Sequence, residues 1–110
     1  MSEGGIGWVP FMLEMMEHQF DEFRTREING LKRRPKEYFA KNFWVSFWFE
    51  TFAPQHMLEE IGFDRVLFET DFPHPTSLYP GVQAHLVDVL GGHSREVQKK
   101  VLQDNAVRMY

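Results

Sequence analysis

Ile61–Pro75, IGFDRVLFETDFPHP, is the stretch that decides the fold. Gly62 reads as a helix stop. Arg65–Thr70, RVLFET, is short, β-branched and aromatic, which predicts a strand. Asp71 follows at once and opens a loop, Asp71–Gly81, rich in Pro, His and Ser. Beyond it, Val82, Leu86 and Leu90 recur at helical spacing and Gly91-Gly92 ends the run. Upstream, Asn42–Phe49 (NFWVSFWF) is nearly all apolar and too short for a core helix. It predicts a second strand covered on both faces. A helix over Pro54–Ile61 would lie between the two strands. Strands alternating with helices predict an α/β fold built from parallel βα units.

Outward from this centre, Val9, Leu13, Met16, Phe20 and Phe23 mark the apolar stripe of a helix from about Pro10 to Ile28, with Asn29-Gly30 as its stop. Glu14, Glu17, His18, Asp21 and Arg24 fall on its outer face. Pro35–Phe39 reads as a short helical turn. Ser94 caps a last helix, with Glu96 favourably placed in its first turn. That helix buries Val97, Val101 and Leu102, and Asn105–Tyr110 adds one more turn.

The chain has 110 residues and can form one small domain, here residues 1–110. Eleven Phe, three Trp and three Tyr demand a core, so a disordered tail is excluded. A net charge of −4 argues against a phosphate-binding surface and hence against nucleic acid. The one basic cluster, Lys32, Arg33 and Arg34, reads as a solvated loop. Without cysteine there are no disulfides, thiolate nucleophiles or cysteine zinc sites. No apolar run approaches membrane length and no secretory signal pattern is visible, so a soluble cytoplasmic protein with no membrane partner is the expectation. Walker, GxSxG and HExxH motifs are absent, and GGIGW is not GxGxxG.

Chemistry concentrates at the carboxyl ends of the two strands, where ligands bind in parallel α/β architecture. Asp71 there either binds a metal or works as a base, or else caps the following turn. His74, three residues on, either shares a pocket with Asp71 or is an exposed loop histidine. Glu69 points towards flanking helices. Glu3 precedes a glycine-rich turn and either lines a cavity or is a frayed terminal residue. Trp8 walls the same cavity or packs in the core. Glu50 ends the aromatic strand and reads as a solvated carboxylate or as a visitor to the same face. His18, His56, His85 and His93 lack ligand spacing and read as surface or structural.

Four segments in order, EGGIGWVPFMLEMMEH, PKEYFAKNFWVSF, IGFDRVLFETDFPHP and DNAVRMY, give the chain a resemblance to the C-terminal part of amidohydrolase-2 proteins, the aminocarboxymuconate-semialdehyde decarboxylase-like enzymes. The resemblance implies the last βα units of a (β/α)₈ barrel, which when complete needs about 250 residues. It implies a divalent metal, most often zinc, held by an HxH pair on a first strand, a later histidine and an aspartate matching Asp71. The HxH pair has no counterpart here. Glu3 stands about where decarboxylase members carry a catalytic histidine, a departure that argues against histidine-assisted decarboxylation and leaves hydrolysis or another lyase reaction open. His74, Trp8 and Glu3 would shape a pocket for a small carboxylated or aromatic substrate. With open strand edges the chain is expected to be nearly inactive alone and to form a homo-oligomer or join a complementing chain. The rival reading is a non-catalytic, self-associating or partner-binding α/β module.

Overall fold

The computed structural model describes residues 3–23 and 30–110. Its centre is a two-stranded parallel sheet of β1 (Val45–Phe47) and β2 (Val66–Phe68), in register Val45↔Val66, Ser46↔Leu67 and Phe47↔Phe68. Two short helices, α3 (Phe52–His56) and α4 (Leu58–Ile61), and a 3₁₀ turn at Phe63–Arg65 carry the chain from one strand to the other. The parallel βαβ unit expected from the alternation is therefore present. Gly62, at φ 90°, ends α4 in the left-handed conformation that a Cβ disfavours.

Both strands are shorter than expected, for local reasons. Asn42 belongs to α2 (Pro35–Asn42), and Phe43 caps it, donating its N–H to Phe39 O at 3.0 Å while the two rings stack 5.4 Å apart. Pro35 opens α2 and Glu37 accepts the Arg34 backbone N–H at 2.8 Å, so the expected short turn is a full helix. Arg65 closes the 3₁₀ turn, and Glu69 adds one further ladder bond, its N–H to Phe47 O at 3.0 Å.

Helix α1 (Val9–Phe23) buries Val9 and Leu13 in the core and packs beside α2 and α4, but Met16 and Phe23 are exposed. The expected extension over Arg24–Ile28 and the stop at Asn29 lie outside the described residues. Glu17 and Asp21, read as an outer face, instead face α2. Arg34 bridges both, at 2.5 Å and 2.8 Å, and lies over the Phe20 ring. One member of the basic cluster is thus a tether between helices. Burial pushes the Glu17 carboxyl up, but the Lys36 N–H and the Arg34 guanidinium outweigh it and hold the group below the ordinary carboxylate range.

The other face of the core is closed by α5 (Val82–Leu90) and a C-terminal helical run: α6 (Arg95–Lys99), a π-turn (Lys100–Asp104) and α7 (Asn105–Met109). Ser94 caps α6 by accepting the Val97 N–H at 3.3 Å, as its position predicts. Val97 and Val101 are buried, while Leu102, expected beside them, is exposed. Asn105 is buried, and its Nδ2 donates to Phe63 O (2.7 Å) and Val66 O (2.8 Å), tying the run to the start of β2. Lys100 pairs with Asp64 across the same junction at 2.7 Å. Phe47, Leu58, Val66, Val89 and Leu90 fill the centre. Among the described residues, no helix is long and apolar enough to cross a membrane.

Candidate active site

Asp71 leaves β2 in a left-handed conformation, φ 58°, which aspartate tolerates better than most residues. Its side chain is only 6% exposed. Oδ1 lies 2.8 Å from His74 Nδ1, and Oδ2 accepts the Thr76 hydroxyl. The backbone supports this arrangement. His74 N–H donates to Asp71 O at 2.9 Å, and Phe72 N–H reaches the Thr70 hydroxyl at 3.3 Å. The bonds of the carboxylate thus go to the His74 and Thr76 side chains, while the turn's His74 N–H is taken by the Asp71 backbone carbonyl. The Thr76 hydroxyl and the His74 imidazole hold its carboxyl below the usual carboxylate range, against a smaller upward push from burial.

The partner of His74 Nδ1 is a carboxylate, so that nitrogen is the donor and Nε2 keeps the lone pair in the neutral ring. The ring itself is 63% exposed. It is both the exposed loop histidine and the neighbour of Asp71, so the two readings of it were not exclusive.

The glycine turn brings a third group to the same place. Glu3, Asp71 and His74 each offer a ligand atom, and these atoms all lie within 4.8 Å of one another. Glu3 is held, not frayed: its N–H donates to Glu69 Oε1 at 2.7 Å. Glu69 also accepts the Ser46 hydroxyl at 2.9 Å. It faces the glycine turn and a neighbouring strand, contrary to the expectation that it turns towards helices. Glu50 is likewise not simply solvated. Oε1 accepts the N–H groups of Ile6 (3.0 Å) and Gly7 (2.9 Å), and Oε2 lies 3.1 Å from Ile6 N. Trp8 donates its indole N–H to Gly4 O and Gly5 O, 3.0 Å each, and packs against the core. This is the packing alternative for Trp8. Sequence reading missed Thr76 altogether; its hydroxyl in an aspartate-led turn was the available signal.

Two hollows flank these carboxylates. A groove of about 500 Å³ runs along Gly7, Phe49, Glu50 and Phe52. A second, of about 390 Å³, lies over the sheet face of Ser46, Leu67 and Glu69 and reaches Met109 and Tyr110. The other four histidines stand apart from the Asp71 group. His93 is structural, its Nε2 2.7 Å from Pro54 O.

Two carboxylates and an imidazole are a donor set that suits manganese or zinc. Three protein ligands is the usual number at a catalytic zinc site. The residues present therefore fit a divalent cation.

The chain resembles solved structures over nearly its whole length. An amidohydrolase from Mycobacterium avium subsp. paratuberculosis K-10 is 23% identical, with a TM-score of 0.78 over 97% of this chain. A 5-carboxyvanillate decarboxylase from Sphingomonas paucimobilis is 22% identical, with a TM-score of 0.75 over 94%. A dihydroxybenzoic acid decarboxylase from Polaromonas sp. JS666, solved with manganese and the inhibitor 2-nitroresorcinol, is 25% identical, with a TM-score of 0.69 over 93%. The chain spans 26%, 30% and 30% of the length of these three. They are amidohydrolase barrels, and the small open sheet described above corresponds to a portion of that architecture. The family model described as amidohydrolase matches residues 1–110, and the chain belongs to that family.

Proposed function

We propose that this chain carries part of the site of a divalent-metal-dependent decarboxylase or hydrolase acting on a small carboxylated aromatic molecule. The observation that carries the reading is the convergence of Glu3, Asp71 and His74 at the carboxyl ends of the strands. The decarboxylases among the similar structures, one of them holding manganese, support the substrate class and the need for a metal. Asp71, His74 and Glu3 would hold the ion. A bound ion would polarise a substrate carboxylate or lower the pKa of a bound water.

The chain's own residues supply orientation. Asp71 fixes the His74 tautomer through Nδ1–H and so leaves the Nε2 lone pair as the one that would face the ion, as carboxylate–imidazole pairs do at metal sites. Thr76 keeps Asp71 ionised by donating to its second oxygen. The sequence has no HxH pair and the chain spans 26–30% of the length of the similar structures, so turnover by the chain alone is expected to be slow or absent.

The test is binding of Mn²⁺ to the purified chain, followed by loss of the free-ion electron paramagnetic resonance signal. Near-stoichiometric binding abolished in Asp71→Asn supports the reading; a chain that leaves Mn²⁺ free at millimolar concentration overturns it. Rapid decarboxylation of a dihydroxybenzoate by chain and Mn²⁺ alone would overturn the expectation of inactivity.

One set of observations favours a second reading, association with a copy or a complementing chain. β1 and β2 bond only to each other among the described strands, leaving an outer edge on each. Phe49, Phe52 and Phe72 are 58%, 64% and 65% exposed nearby. Light scattering across a hundredfold concentration range tests it, and a monomer throughout would remove it.

A further inference from the structure

We propose that Glu50 and Glu69, the carboxylates at the ends of β1 and β2, are positioning residues that hold the glycine turn by its backbone and so set Glu3 against Asp71 and His74. The inference rests on the metal-site reading above and adds to it two residues that bind no ion themselves.

Among the described residues, the segment before α1 forms no ladder with the sheet, so something else must fix its place. Three of its N–H groups supply the answer. Glu3 N–H donates to Glu69 at 2.7 Å, and Ile6 and Gly7 N–H donate to Glu50 at 2.9–3.1 Å. Bonds from N–H to an ionised carboxylate are shorter and stronger than neutral ones. The two grips divide the work. Glu50 fixes the middle of the turn and Glu69 fixes the residue that carries the candidate ligand. Each carboxylate is itself placed by β-structure: Glu69 is two residues before Asp71 and is oriented by the Ser46 hydroxyl at 2.9 Å, while Glu50 lies just beyond β1.

The glycines show how close the fit is. At Gly5, φ is +66° and a Cβ would stand 3.0 Å from Glu50 Oε2. A side chain there would have to adopt the left-handed conformation and push the carboxylate back by a few tenths of an ångström. Glu3 itself sits at φ 56°, a conformation that a non-glycine residue holds only when its surroundings enforce it. The Glu69 bond to its N–H is one such constraint.

The prediction separates holding from binding. In the full chain with Mn²⁺ as probe, Glu69→Ala and Glu50→Ala should each weaken binding about tenfold and broaden the bound-ion resonance. Glu69→Gln, which keeps an acceptor for Glu3 N–H and the Ser46 hydroxyl, should restore affinity to within about threefold of the unsubstituted chain. Amide exchange measured without metal should show Glu3 losing protection in Glu69→Ala only, and Ile6 and Gly7 losing it in Glu50→Ala only. Should Glu50→Ala fail to fold, Glu50→Gln carries its test with a smaller effect, and Ser46→Ala does the same for the Glu69 grip. Alanine variants that bind Mn²⁺ like the parent, with Asp71→Asn still abolishing binding, overturn the positioning roles and leave the metal site standing. A parent chain that binds no Mn²⁺ overturns both.

Discussion

The two ends of the β1–β2 sheet are built on opposite terms. At the carboxyl end, Glu3, Asp71 and His74 meet on loops, two of them exposed and two of the backbones in positive-φ conformations. At the amino end, Asn105 is 3% exposed and gives both its hydrogen bonds to backbone carbonyls, while Trp44 is covered by the guanidinium groups of Arg65 and Arg108. One end keeps polar groups accessible at a cost in local conformation. The other uses its polar groups to close the backbone account of a buried junction. In barrel enzymes chemistry sits at the carboxyl face and stability at the other. The same division in this chain predicts that substitutions at the two ends will fall into separate classes of effect.

The largest effect belongs to Asp71. Asp71→Asn should reduce Mn²⁺ affinity by at least about 100-fold, since it removes the charge of a ligand and one of the two acceptors that hold His74 and Thr76. Asparagine tolerates the left-handed backbone, so far-UV circular dichroism should be unchanged. A variant that keeps Mn²⁺ affinity would erase the contrast at its functional end.

Asn105 should show the reverse pattern. Asn105→Leu takes the Nδ2 donor from the buried Val66 O and one of two donors from Phe63 O, which keeps the Val66 N–H, so the cost should be roughly 1–3 kcal/mol, that of one unsatisfied group. Urea denaturation would read this loss, and Mn²⁺ affinity of the folded fraction should not move. A loss below about 1 kcal/mol would mean that water or a shift of α7 satisfies those carbonyls.

Two glycines in the same φ region sharpen the comparison within the scaffold. Gly62→Ala meets only its own backbone preference, because no atom lies within 4 Å of the added Cβ, and should cost about 1 kcal/mol. Gly5→Ala bears the same preference and also crowds Glu50, so it should cost more, about 2 kcal/mol, and weaken Mn²⁺ binding as well. Equal costs, with binding unaffected, would show that the turn yields freely.

What could be read in advance follows from how far apart the interacting residues lie in sequence. The strand–loop–helix pattern around RVLFET and the caps at Gly62 and Ser94 are local, and they were legible. The pairing of Asp71 with His74, three residues apart, was one of two open readings, because spacing in a loop does not fix where a side chain turns. The strand ends were not legible, because Phe43 stacks back onto Phe39 and draws Asn42 into α2. Glu50 and Glu69 looked like solvent or flank residues because their partners are 44 and 66 residues away. Charge and pattern within a window say nothing of such partners. Asn105 was hidden for the same reason, its carbonyl partners being 42 and 39 residues distant. The π-turn at Lys100–Asp104 had no local signal that we can identify.

The smallest expected effect lies between α1 and α2, away from both ends of the sheet. Glu17 accepts from Arg34 and from the Lys36 N–H, and its folded pKa is depressed. A depressed carboxyl stabilises the fold fully above its unfolded value, near 4.5, and loses that contribution as pH falls through the lower folded value. Arg34 is 42% exposed, so solvent screens the pair and the whole contribution should stay below about 1 kcal/mol. Stability measured in urea from pH 6 to pH 3 should therefore fall slightly less steeply in Glu17→Gln than in the parent. The difference should shrink in high salt. Asp71→Asn should alter the same acid limb independently, because its carboxylate is held low by Thr76 and His74 with no contact to α1. Additive changes in the double variant would confirm that the helix pair and the candidate site are energetically separate. A coupled response would mean that α1, which continues directly from the glycine turn, transmits strain into Glu3, and the helix pair and the carboxyl end would then have to be treated as one mechanical unit.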